Sequence, residues 1–344
     1  MNLGIATSHE KGITNSRKLE VTVRNALRTL VILALPVVPI AAFPQAWPAR
    51  PILVVSGTGL GNPGDTALRL IAPKMSDALG VPIAIETRAG GSGTIAYTAV
   101  AHAAPDGYTI LFGTSSLATL RYLIKNPPVD PLKDFTPVSL VVTSPSVFAI
   151  TPSLPVSSVK EFIDYAKKNP GKLSFVHTGV GAALHLIGES LNQYAGINML
   201  PVPYKQSGGT MTNDFVTGRV PVYFSSLGTM RPFYADGRAK IIAVFNTKRF
   251  RQLPDIPTVN ETLPDFYNVM PWFAFLAPPG MPNAIAVRLS AETHKALDDP
   301  NVAPKLEAYG ALTVGSTPEE LGAYMKRETD FMGKLIRSLG IVPE

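Results

Sequence analysis

The chain has 344 residues, 46% of them hydrophobic and 16% charged, which suits a packed globular protein of two ordinary domains. It has no cysteine, so disulfides, thiolate metal sites and a cysteine nucleophile are excluded. The net charge is +6, half of it in the first 46 residues; the +3 on the remainder is too scattered for a nucleic-acid surface and only mildly favours anionic ligands.

Arg24 and Arg28 precede TLVILALPVVPIAA (29–42), an uncharged run followed by FPQAWPARP. This reads as a secretory signal peptide over 1–46, its apolar run too short to span a bilayer. Cleavage is expected after Ala46 or Ala42, and the long n-region points to a translation start nearer Val21. The mature protein is expected to be soluble and exported.

From Trp47 the pattern alternates. ILVV (52–55) is a short β-branched strand. The loop SGTGLGNPGD (56–65) leads into an amphipathic helix over 66–79, with Leu68, Ile71, Met75 and Leu79 on one face. VPIAIE (81–86) is a second strand, TRAGGSGT (87–94) a second small-residue loop, then a helix over 95–103 stopped by Pro105-Asp106-Gly107. YTILFG (108–113) is a third strand. This β-α-β-α-β order implies a parallel sheet covered by helices. After the connector KNPPVDPLKD (125–134), extended segments lie over 135–142 and 146–152. The alternation then repeats: helix 159–169, strand 173–179, helix 182–196, strand 199–204, a short helix over 206–218, and strands over 220–226 and 239–245. The tail beyond Pro282 is helical, its last helix capped by Thr317 with Pro318 at the first position.

The chemistry on offer is limited. There is no H-E-x-x-H, no zinc-like cluster and no G-x-S-x-G elbow, so neither a metal nor a catalytic site is expected. His177 and His185 flank one helix start, but eight residues apart they do not face together on one helix. Within 56–65, Gly59-Leu60-Gly61-Asn62-Pro63-Gly64 spells G-x-G-x-x-G, with Glu86 in range for a ribose. Pro63 stands where a free helical N–H is wanted, and the turn is longer than that fingerprint, so a dinucleotide is disfavoured. The recurring device is a strand running into a Gly/Ser/Thr loop with a helix behind it, at 56–65, 87–94 and 177–183. Such turns offer backbone N–H groups and the positive end of a helix dipole to an anion, and small residues let it approach.

Several segments, taken together, resemble the periplasmic solute-binding receptors of tripartite tricarboxylate transporters, the Bug receptors. They are WPARPILVV with a Gly-rich loop and Asp65-x-x-x-Arg69, ETRAGGSGTIA, VAHAAPDGYTILFG, VDPLKDFTPVSLV, NPGKLSF, GAALHL, VPYKQSGG, LPDIPTVNE and APPGMP. The resemblance implies an α/β, two-lobed flytrap of the type II periplasmic binding protein class, with a central sheet in each lobe. Lobe 1 would be 47–146 plus 268–344, hence discontinuous, and lobe 2 would be 147–267. It further implies a periplasmic, non-enzymatic protein without a cofactor, probing for a small organic carboxylate and serving the permease subunits of a transporter as a monomer. A periplasmic sensor docking on a signalling partner is the alternative.

Carried over by position, the ligand-binding residues are Ser56, Gly57, Thr58, Asn62 and Asp65 in the first loop, and His177, Thr178, Gly179, Gly181 and Ala182 in the second. Tyr204, at the head of the turn with Lys205, and Thr114 with Ser115 after the third strand complete the set. Asp65 and Arg69 are expected to pair across one helical turn, and His185 to pack on its helix. The chain departs from the family pattern in its first loop, where Ser56-Gly57-Thr58 replaces a start that carries an aromatic. It departs again at His177-Thr178 and at Pro221, where an Asp is usual. These changes fall where ligand choice is made.

Overall fold

The computed structural model describes Met1 and residues 47–204 and 208–343. The leader at 1–46 therefore lies, apart from Met1, outside the described residues. Among the described residues no helix is long and apolar enough to cross a membrane.

The first βαβαβ run forms as read. Strand β1 (Ile52–Ser56) leads into α1 (Pro63–Leu79), β2 (Ile83–Thr87), α2 (Thr94–Ala101) and β3 (Thr109–Thr114). Helix α1 starts at Pro63, three residues earlier than the apolar period suggested. Proline serves at the first helical position because the N–H it lacks would have no intrahelical partner there. A helix not read from the sequence follows, α3 (Ser116–Leu123), then β4 (Thr136–Thr143) and β5 (Ser146–Ile150). The second alternation comprises α4 (Val159–Lys168), β6 (Ser174–His177), α5 (Ala183–Ala195), β7 (Leu200–Pro203), α6 (Gly208–Val216) and β8 (Val222–Ser226). Then come α7 (Leu227–Ala235), β9 (Lys240–Val244), β10 (Trp272–Ala277), α8 (Asn283–Leu297), α9 (Ala303–Ala308), β11 (Leu312–Thr313) and α10 (Pro318–Ser338).

The strands make two sheets, ordered β11-β4-β10-β3-β1-β2 and β7-β6-β8-β5-β9. The expected parallel arrangement holds for β2-β1-β3 and β7-β6-β8. It fails beyond them: β10 runs antiparallel to β3 and β4, and β5 antiparallel to β8 and β9. The sheets are mixed because β5 and β10 each arrive by crossing from the other sheet. Chain passes from β4 to β5 through Ser144-Pro145, and from β9 to β10 through 245–271.

Both faces of each sheet are covered. In the first sheet Ile52, Val54 and Phe112 point into one core, Val55 and Leu111 into another. In the second, Phe148 and Phe224 face one core, Val147 and Tyr223 the other. Two-sided burial removes polar alternation from the strands. This is why β10, WFAFLA, gives no period-two signal although every residue of it is buried. Helix α10 joins the two bodies. Leu321 and Met325 pack in a core of the first sheet, and Met332 and Ile336 in a core of the second. Ridge-like apolar spacing along its 21 residues lets one face serve both.

The order of connection is the same in both sheets. β1 and β6 are the central members of their parallel trios; the next strand lies on one side and the third on the other. The turn after such a strand sits at a topological switch point, where connections depart in opposite directions and leave a crevice. The loops 57–62 and 178–182 both occupy this position.

The approach of α1 to its sheet is set by Gly64. A Cβ there would lie 2.2 Å from Cδ1 of Phe273. That ring is buried and stacked on Phe112 at 6.0 Å, so it has little room to give. Gly64→Ala is expected to destabilise by about 1–3 kcal/mol, read as a lowered melting temperature. Phe273→Leu in the same background should recover part of that loss; if it does not, the clash is not the cause.

Candidate functional site

The first loop is held by its own polar side chains. β1 delivers Ser56, which is fully buried, and its hydroxyl accepts the Thr58 N–H at 3.4 Å. Gly57 passes Tyr97 so closely that a Cβ would stand 3.1 Å from the ring. Asn62 caps α1 by accepting the Asp65 N–H at 3.0 Å. Its side-chain amide donates to the Gly59 carbonyl at 2.7 Å and to the Thr58 hydroxyl. The Asp65 carboxylate accepts the Gly61 N–H at 2.9 Å and pairs with Arg69 at 3.0 Å. Gly61 takes a left-handed φ of 76°, which the tight approach to Asp65 requires. Ser56, Thr58 and Asp65 thus each accept a hydrogen bond inside the loop. Glu86, which a dinucleotide reading would place on a ribose, instead pairs on the surface with Arg88 at 2.7 Å.

The second loop is held by two histidines. His177 ends β6 and His185 lies in the first turn of α5; both are buried, with ring centroids 4.6 Å apart. The rings meet although they do not share one helix. Eight residues separate them in sequence, but the intervening turn folds α5 back over the end of β6. Nδ1 of His177 accepts the Gly179 N–H and Nδ1 of His185 accepts the Gly181 N–H, each at 3.2 Å. An accepting Nδ1 requires neutral imidazole with its proton on Nε2. His177 therefore braces the loop from behind, while Thr178 is exposed in front of it. Gly181 has φ of 71°, and a Cβ there would strike Leu123 at 2.3 Å. Ala182 occupies the N-cap of α5 and offers no side-chain cap to its N–H groups.

Burial pushes the pKa of both rings down, His185 to about 4, with the neighbouring His177 adding to the effect. The one carboxylate near the pair is Glu189, 4.0 Å from Nε2 of His185 and itself pushed upward by burial. A histidine with a depressed folded pKa stabilises the fold above about pH 6.5, and that contribution drains away as pH falls toward the folded value. Glu189 works in the opposite sense, so a variant is needed to isolate the ring. Stability measured by denaturant between pH 7 and 4 is expected to fall with pH, by up to about 3 kcal/mol from His185. The fall should shrink in His185→Gln, which keeps an acceptor but cannot titrate there. An unchanged slope in that variant would clear His185 of the effect.

The remaining sequence-derived residues divide. Tyr204 donates its backbone N–H to the His177 carbonyl at 2.8 Å and its hydroxyl to Asp214 at 2.6 Å. Desolvation and the Asp214 carboxylate push this phenol up to about 12. Asp214 is held in turn by Arg219 at 2.6 Å. Tyr204 thus supports the second loop; Lys205, Gln206 and Ser207 lie outside the described residues. Thr114 joins a hydroxyl cluster, 2.9 Å from the Tyr97 hydroxyl and 2.7 Å from that of Ser116. Thr114 and Ser115 line a small cavity of about 100 Å³ with Gly181, Ala182 and Glu328, apart from the main one.

That main cavity, of about 980 Å³, receives both switch-point loops. Gly59, Leu60, Gly61, Asn62 and Pro63 reach it from the first sheet, and Thr178 and Leu184 from the second. Of the residues expected from sequence, Asn62 and Thr178 line it directly. Gly59, Leu60, Gly61 and Pro63 belong to the loop 56–65 read as ligand-binding, and the lining residues outside the expected loops were not read from sequence. Ser144, Ser146 and Pro271 stand at the two crossovers; Ser225, Ser226 and Thr229 mark the start of α7; Tyr223, Phe233 and Phe273 supply apolar wall. The serine pair closing β8 was the available signal, since Ser226 is the N-cap of α7 and accepts the Thr229 N–H at 3.3 Å. First-turn or capping residues of α1, α5, α6 and α7 all border this space, so four positive dipole ends are brought to it. Among the described lining residues Arg238 carries the only charge, and there is no acidic group. No group of three or more His, Asp or Glu that could hold a metal occurs among the described residues.

Residues 67–341 match the tripartite tricarboxylate transporter family receptor. A protein encoded in the tcbD-tcbE intergenic region of Pseudomonas sp. strain P51 is 36% identical, over 85% of this chain and 87% of its own. Among solved structures, R. palustris Rpa4515 with adipate is 31% identical, with a TM-score of 0.78 covering 87% of this chain and all of that one. MatC from Rhodopseudomonas palustris with bound malate is also 31% identical, with a TM-score of 0.72 over 84% of this chain and all of that one. The chain belongs to the tripartite tricarboxylate transporter family of periplasmic solute-binding receptors, and has their two-lobed α/β fold.

Proposed function

We propose that this protein captures a small organic carboxylate in the 980 Å³ cavity and delivers it to the membrane permease of a tripartite tricarboxylate-type transporter, without chemical conversion. The observation that carries the reading is the convergence of four helix N-termini on a space lined by hydroxyls, one cation and no acid among its described residues. Backbone N–H groups at such ends, particularly those of α5 that lack a side-chain cap, are ready donors to a carboxylate. Relatives solved with adipate and malate support the ligand class.

In this reading the lobes are 47–146 with 268–344, and 147–267, and the ligand draws them together. The chain segments that cross between the sheets flank the cavity at Ser144, Ser146 and Pro271, where a small backbone rotation would open or close it. Export by the leader would place the receptor in the periplasm.

A thermal-shift screen of mono- and dicarboxylates tests the proposal. A ligand at a hundred times its Kd stabilises the folded state by about 2.7 kcal/mol, a rise of about 5 °C for a chain of this size. Thr178→Ala should weaken that ligand about fivefold by calorimetry, the value of one lost hydrogen bond. A chelator should leave affinity unchanged. A screen in which no carboxylate raises the melting temperature would overturn the assignment.

A further inference from the structure

We infer that Arg238 is a specificity-determining residue that receives a second anionic group of the ligand, at a distance from the helix N-termini that hold the first. This deepens the carboxylate reading and rests on it. Ser226, Thr229 and Phe233 all line the cavity and lie at i, i+3 and i+7 along α7, one face of that helix. The cavity therefore follows α7 for about two turns, or about 10 Å, from its N-terminus toward its C-terminus. Arg238, just beyond that end, continues the row: its guanidinium lies over the Phe233 ring, 4.6 Å from the centroid.

The guanidinium is held rather than free. Nε and Nη2 both donate to Oδ2 of Asp236, at 2.8 and 2.6 Å. That pair leaves Nη1 outside it, and the ring below limits the rotamers open to the side chain. A planar fork fixed in this way suits a carboxylate better than a mobile ammonium would. Leu184, Val216, Tyr223 and Phe273 add apolar wall beside the polar Asn213, Ser225 and Thr229. The ligand chemistry that fits is an elongated molecule with a carboxylate at one end and a second anion at the other.

The test uses calorimetry on the full mature protein with α,ω-dicarboxylates from succinate to sebacate, each beside the monocarboxylate of equal chain length. The wild type is expected to prefer the longer diacids over their matched monoacids by about tenfold or more. Arg238→Gln should erase most of that preference by weakening diacids far more than their matched monoacids, and Arg238→Lys, which keeps the charge but not the fork, should fall between. Binding of both kinds with no preference in the wild type, or a preference that survives in Arg238→Gln, would overturn the role of Arg238 while leaving carboxylate capture standing. No binding by any acid would remove the underlying reading as well.

Discussion

Backbone N–H groups at the start of a helix have no partner within it, and how each helix of this protein meets that need decides where a ligand can sit. Helix α1 meets it with Asn62, and the loop before it with Asp65. Helix α7 uses Ser226. Helix α5 begins on Ala182, which can cap nothing, and its preceding glycines give their N–H groups to two buried histidines. The loops are therefore braced by their own side chains, and both reach the cavity. Rigidity of this kind lowers the ordering cost of binding.

The same economy explains why two loops distant in sequence become opposing walls. Each follows the central strand of a parallel trio, and each is left at a crevice by connections departing in opposite directions. The crossovers through Ser144-Pro145 and 245–271 bring the two crevices face to face. Helix α10 adds a third tie, with apolar residues in a core of each sheet. Relative movement of the sheets must be accommodated along that helix as well as at the crossovers.

Much of the architecture was legible from the chain. The βαβ units, their loops and the terminal helices follow from apolar period and from glycine, proline and capping residues, all local signals. What was missed has a common cause. β10 is buried on both faces and shows no alternation, while α3 and α7 follow a strand without a break in composition, α7 carrying Pro232 within it. The antiparallel strands went unread because pairing direction depends on which sheet a crossing segment joins, and no local pattern records that.

The site was legible in part, for a related reason. Sequence alone determined that glycine-rich turns stand behind strands and before helices, a pattern suited to holding an anion by backbone groups. Tertiary structure decided which residues of those turns face the ligand space. Ser56, Thr58 and Asp65 look like ligand donors in sequence, yet each accepts a bond within its own loop and none lines the main cavity. His177 and His185 look unrelated, yet they meet at 4.6 Å and brace the facing loop. Arg238 looks like one more surface cation, yet it stands at the cavity as the single charge among its described residues. A polar group can serve either its own backbone or a ligand, and only the three-dimensional accounting of its partners shows which it does.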